Sequence, residues 1–137
     1  MPVTGGCLCK AARYSIDAEP IVVRECWCRV CQYLGAGSSA VNACFPSAKL
    51  QLTGALTQYD SRADSGNLMH RSFCPTCGTA VLSAAASRPH LVFVRVGTLD
   101  DPGAACPEVA IWTASAPGWA CIDPKLPQVA GQPPPAA

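Results

Sequence analysis

Seven of the ten cysteines stand in three tight groups, Cys7-x-Cys9, Cys26-x-Cys28-x-x-Cys31 and Cys74-x-x-Cys77-Gly78. At such spacings the sulfurs of a group reach one small, soft cation together, and zinc is its usual occupant. A closed structural site takes four ligands, whereas a reactive one takes three and keeps a position for water or substrate. Four plus three predicts a structural zinc on Cys7, Cys9, Cys74 and Cys77 and a working zinc on Cys26, Cys28 and Cys31. Left open, the second site would hold a bound thiol as its thiolate, a nucleophile at neutral pH, which makes Cys26, Cys28 and Cys31 the candidate catalytic residues.

Competing readings of the same residues stay in view. A fourth thiolate from Cys44, Cys106 or Cys121 would close the triplet into a second inert site. With no motif around them, those three otherwise read as small buried hydrophobes. Cys74 and Cys77 also have the spacing of a redox pair, but thioredoxin-like chemistry wants that pair between a strand and a long helix in an alternating β/α pattern, which is missing. Trp112 and Trp119 either line a pocket wall or pack in the core. Arg71, just ahead of the third cysteine group, either meets an anionic ligand or faces solvent. Trp112 and Arg71 are the candidate substrate-binding residues, while His70 and His90 stand apart from the cysteines and are not expected to be ligands. No Ser/His/Asp order, phosphate loop or carboxylate pair stands out.

The elements that must position these thiols are short strands. Apolar and β-branched runs recur at 11–16, 21–25, 40–45, 49–52, 56–59, 68–73, 79–82, 91–96 and 109–113, separated by Gly, Pro, Asn and Asp. No segment carries a helical stripe over three turns, although a single helical turn fits 28–33. The expected class is all-β and mainly antiparallel. Cys7-x-Cys9 is expected to open the first strand, and Cys74-x-x-Cys77 to form a turn between two later ones.

Composition bounds the rest. Residues 1–124 read as one domain, and residues 125–137, rich in Pro, Ala, Gln and Gly, as a flexible tail. A body of about 120 residues hides a modest fraction of its surface, so a metal cross-link adds materially to its stability. Net charge is +1 with scattered Lys and Arg, which excludes a nucleic-acid footprint. No run approaches the length of a membrane span and no basic-then-apolar leader is present, so a soluble, cytosolic protein is expected. In a reducing compartment this many cysteines points to metal ligation or thiol chemistry rather than disulfides.

In order along the chain, Gly5-Gly6-Cys7-Leu8-Cys9 with Tyr14, then Cys26-x-Cys28-x-x-Cys31 with Gly37-Ser38, then Arg71-Ser72-Phe73-Cys74-Pro75-Thr76-Cys77-Gly78, and finally Val96-Gly97-Thr98-Leu99-Asp100-Asp101-Pro102 with Ile111-Trp112 resemble the motifs of one family. It is that of the glutathione-dependent formaldehyde-activating enzymes, which also includes centromere protein V. The resemblance spans about residues 4 to 120. It implies a β-tent fold with structural zinc on Cys7, Cys9, Cys74 and Cys77 and a second zinc on Cys26, Cys28 and Cys31. It also implies carbon–sulfur lyase chemistry, in which glutathione and formaldehyde interconvert with S-hydroxymethylglutathione. The chain departs from the family where Lys10 stands for a common Gly, and where Trp27 and Ala110 stand for common His residues. Proton transfer would then fall to water or the substrate.

The expected function is therefore a zinc-dependent carbon–sulfur lyase acting on a small thiol or thiol–aldehyde adduct, with neither nucleic acid nor membrane as partner. The alternatives are a non-catalytic zinc module that binds a protein, suited to the apolar composition of 50%, and a metal or redox buffer using Cys26 to Cys31. Aliphatic edge strands leave room for a homodimer.

Overall fold

The computed structural model of the chain describes residues 2–136. Among them run ten strands: β1 (Val3–Gly6), β2 (Arg13–Ile16), β3 (Val22–Cys26), β4 (Ala40–Pro46), β5 (Leu50–Thr53), β6 (Thr57–Arg62), β7 (Leu68–Phe73), β8 (Ala80–Ala85), β9 (Leu91–Arg95) and β10 (Val109–Ile111). One short helix, α1 (Arg29–Leu34), occupies the expected helical turn. The class is all-β and mainly antiparallel, as the alternation predicts. The strand missed by the pattern is β1, because Gly5 and Gly6 offer no side chain to alternate. Gly5 is required there: a Cβ would lie 2.3 Å from the Thr98 carbonyl oxygen and 2.4 Å from the Tyr14 hydroxyl. Cys7-x-Cys9 consequently forms the turn after the first strand instead of opening it.

The strands form a three-stranded sheet, β1-β2-β5, and a seven-stranded sheet, β10-β3-β4-β9-β8-β7-β6. All pairings are antiparallel except β10 on β3. Because side chains alternate along a strand, each face of the large sheet has its own task. Val23, Ala43 and Val94 lie in register across β3, β4 and β9 and enter the main core with Ile16, Phe45 and Val81. On the other face Arg24, Asn42 and Arg95 form one rank, and Phe93, Ser83 and Arg71 form a second across β9, β8 and β7. Both ranks line one cavity. No helix among the described residues is long and apolar enough to cross a membrane.

Residues 127–131 run beside β10 and hydrogen-bond to it, with the Val129 N–H donating to the Ala110 carbonyl at 2.9 Å and the Trp112 N–H to the Gly131 carbonyl at 3.2 Å. Past that point the chain crosses the cavity, where Gln132, Pro133, Pro135 and Ala136 form part of the wall.

Candidate functional site

Two turns of similar build bring the first four thiols together. In the β1–β2 turn the Cys7 N–H donates to the Ala12 carbonyl at 3.1 Å, and in the β7–β8 turn the Cys74 N–H donates to the Thr79 carbonyl at 2.9 Å. Each turn needs a left-handed residue, Lys10 (φ 66) in one and Gly78 (φ 76) in the other. The Cys7, Cys9, Cys74 and Cys77 sulfurs all lie within 4.8 Å of one another. Tetrahedral zinc with Zn–S bonds of about 2.3 Å would set its sulfurs about 3.8 Å apart. Cys7 to Cys9 is 3.6 Å and Cys9 to Cys74 is 3.7 Å, so the residues fit such an ion. Main-chain N–H groups aim at the same sulfurs, from Ala12 to Cys7 at 3.3 Å and from Thr76 to Cys74 at 3.4 Å. These bonds favour thiolate. The Ala12 N–H is the main cause lowering Cys7, and the Thr79 hydroxyl is the main cause lowering Cys77, to about 5. Cys9 receives help from Ala11, yet burial and the three neighbouring sulfurs outweigh it and push the thiol up to about 11.

The triplet sits where β3 ends, beside the end of β10, since Cys26 pairs with Ile111. Cys28 caps α1, its sulfur accepting from the Cys31 N–H at 3.4 Å. Gln32 locks the loop by donating to the Trp27 carbonyl at 2.8 Å and the Ser115 carbonyl at 3.0 Å. The three sulfurs lie within 4.8 Å of one another, and among the described residues no fourth Cys, His, Asp or Glu joins them. Hydrogen bonds from Cys26 and Cys31 depress Cys28 to about 3, while bonds to its two neighbours, then burial, push Cys26 up. That direction favours thiolate at Cys28, the form in which a cysteine ligates a metal. Asn42 donates to the Cys31 sulfur at 3.9 Å and accepts from Arg95 at 2.6 Å, tying the triplet to the sheet.

A cavity of about 510 Å³ opens beside Cys26, Cys28 and Cys31, with Trp112 and Arg71 on its wall. That volume suits a small-molecule ligand.

Residues 2–115 match the family described as Glutathione-dependent formaldehyde-activating enzyme. The chain belongs to that family. It is also similar to a Rhodobacter sphaeroides protein of known crystal structure, with a TM-score of 0.56 and 27% identity over 71% of this chain and 87% of that one. Among curated proteins none matches the chain.

For a member of the glutathione-dependent formaldehyde-activating family, the departures are now visible in space. Trp27 is 1% exposed, its indole donating to Glu25 at 3.2 Å, and Ala110 is fully buried in β10. Neither position presents a polar group to the cavity. Trp119 is 68% exposed and takes no part in the wall. His70 pairs with Asp60 at 2.9 Å and His90 is exposed, away from both thiol clusters. Cys44 is buried as expected, whereas Cys106 and Cys121 are exposed, lying in irregular chain outside the strands that build the core. The sequence reading missed Thr79, whose hydroxyl accepts from the Leu8 N–H at 3.2 Å and meets the Cys77 sulfur at 3.1 Å, bridging the two turns. It also missed Asn42 and the cavity residues Arg24, Arg88 and Arg95. Strand alternation could have signalled a shared face for Arg24, Asn42 and Arg95, whereas Arg88 lies in the turn between β8 and β9.

Proposed function

We propose that this chain is a zinc-dependent carbon–sulfur lyase that interconverts a small thiol and an aldehyde, of the glutathione and formaldehyde type, with their S-hydroxymethyl adduct. The observation that carries the reading is a three-sulfur cluster, without a fourth protein ligand among the described residues, on the wall of a ligand-sized cavity. Cys7, Cys9, Cys74 and Cys77 hold a structural zinc in this reading, and Cys26, Cys28 and Cys31 a catalytic one. When bound there, zinc supplies Lewis acidity and holds a substrate sulfur as thiolate.

The rest of the chemistry falls to the chain. Cys26, Cys28 and Cys31 fix the place where sulfur reacts, and Asn42 steadies Cys31. In the forward direction a sulfur lone pair forms the C–S bond to the aldehyde carbon, the C=O π pair moves to oxygen, and that oxygen takes a proton. The reverse step returns the proton and breaks the C–S bond. With Trp27 and Ala110 withdrawn from the cavity, water or the substrate itself carries that proton. Trp112 and Arg71 confine and orient the substrate, which supplies the positional part of the rate enhancement. The cytosol suits such a protein, because all ten cysteines are unpaired.

Metal analysis tests the division. Wild type should carry two zinc ions per chain. Cys28→Ala should keep one, retain its fold and lose turnover of S-hydroxymethylglutathione, whereas Cys74→Ala should fail to fold. A wild-type protein holding a single zinc that accelerates adduct exchange with no thiol refutes the proposal.

A further inference from the structure

Four arginines line the cavity beside the triplet: Arg24, Arg71, Arg88 and Arg95. None has a carboxylate partner among the described residues, where the ion pairs are Arg13 with Asp100 and His70 with Asp60. The acidic residue on the cavity wall, Asp64, accepts from the Arg29 main-chain N–H at 3.1 Å. Four guanidiniums outnumber Asp64, the one carboxylate side chain on that wall among the described residues, and gathering excess like charge in a partly buried space is costly, a cost that an incoming anion reduces.

Two of the four stand at the end of the cavity where the C-terminal segment crosses it. Arg24 donates one hydrogen bond to the Pro134 carbonyl at 3.1 Å, and Arg88 donates one to the Ala136 carbonyl. In both, the buried Nε–H has no partner among the described residues. A guanidinium is a rigid fork of donors built to grip a carboxylate through two parallel bonds. A single neutral carbonyl uses one tine and leaves the Nε–H idle.

We infer that Arg24 and Arg88 form an anion subsite that takes the carboxylate a thiol ligand carries remote from its sulfur, in exchange for the two main-chain carbonyls of the C-terminal segment. The ligand chemistry rests on the thiol reading above. The segment acts as a built-in competitor: neutral carbonyls hold the arginines in place, and a charge-assisted pair displaces them. Gln132 is the hinge of that exchange, since its side-chain oxygen accepts from the Trp112 indole at 2.9 Å and the segment before it stays on β10.

The test uses the full zinc-loaded chain and S-methylglutathione, which has two carboxylates but no free thiol, against its diethyl ester. Calorimetry should find the acid bound about tenfold more tightly than the ester. Arg24→Gln and Arg88→Gln should each weaken the acid about tenfold, leave the ester unchanged, and Arg24→Lys should restore part of the loss. Amide and indole N–H exchange at Trp112 should quicken with the acid and not with the ester. Equal affinities for acid and ester, or Gln variants that weaken both ligands alike, overturn the subsite. Turnover of S-hydroxymethylglutathione with equal affinities removes the subsite and leaves the lyase. Acid-selective binding lost in the Gln variants, without turnover, does the reverse.

Discussion

Asp100 shows how single residues hold the cysteine-bearing turns in place. Arg13 donates to both of its carboxylate oxygens and Thr4 donates to one at 2.7 Å, joining β1 and β2 to the chain after β9. With the Arg13 guanidinium as the main cause, its carboxyl is held at about 2, below the ordinary 3.8. A depressed carboxyl contributes stability above its unfolded pKa and loses it as pH falls toward the folded value. Denaturation midpoints of wild type and Asp100→Asn should therefore differ near neutrality and converge between about pH 4 and 2. A gap that stays constant through that window removes the linkage. Lys10 belongs to the same scale: its φ of 66 is a conformation glycine adopts without strain.

Elements shorter than a self-sufficient helix or hairpin carry the site, and neighbours hold them there. The six residues of α1 are too few to be stable alone, so the Cys28 cap and the Gln32 bonds set their geometry. Tyr14 in β2 donates to the Thr98 hydroxyl at 2.7 Å, which donates to the Arg95 carbonyl at 2.7 Å, so β2 also fixes the end of β9. Gly5 makes this approach feasible. Gly5→Ala should cost roughly 3 kcal/mol by overpacking against Thr98 and Tyr14, while Gly118→Ala, with nothing within 4 Å of its Cβ position, should be nearly neutral. Chemical denaturation reads both. A Gly5→Ala protein as stable as wild type means that β1 does not close on Tyr14 as described.

For the whole molecule, the four-sulfur cluster is the seam between the two sheets. Cys7 and Cys9 belong to the turn of the three-stranded sheet, Cys74 and Cys77 to a turn of the seven-stranded one, and Cys9 and Cys74 are 65 residues apart. A metal there closes a long loop and contributes roughly 10 kcal/mol or more of apparent binding energy to folding. Treatment with a strong chelator under reducing conditions should accordingly unfold the domain, and zinc added back should restore its circular dichroism. A thermal midpoint untouched by complete metal removal would deny the seam its structural role.

The thiol groups were legible because their spacing is local: two or three residues of chain hold the sulfurs of one group close whatever the fold. The strands were legible wherever side chains alternate, and β1 was hidden because Gly5 and Gly6 have none. By itself, then, the sequence determined the family, the all-β class and the two clusters of potential metal ligands. Tertiary structure alone decided that Arg24, Arg71, Arg88 and Arg95 share one cavity, that Thr79 bridges the turns, and that residues 132–136 cross the site. These residues come from separate strands and turns, and their meeting depends on strand order and register, which no short stretch of chain encodes.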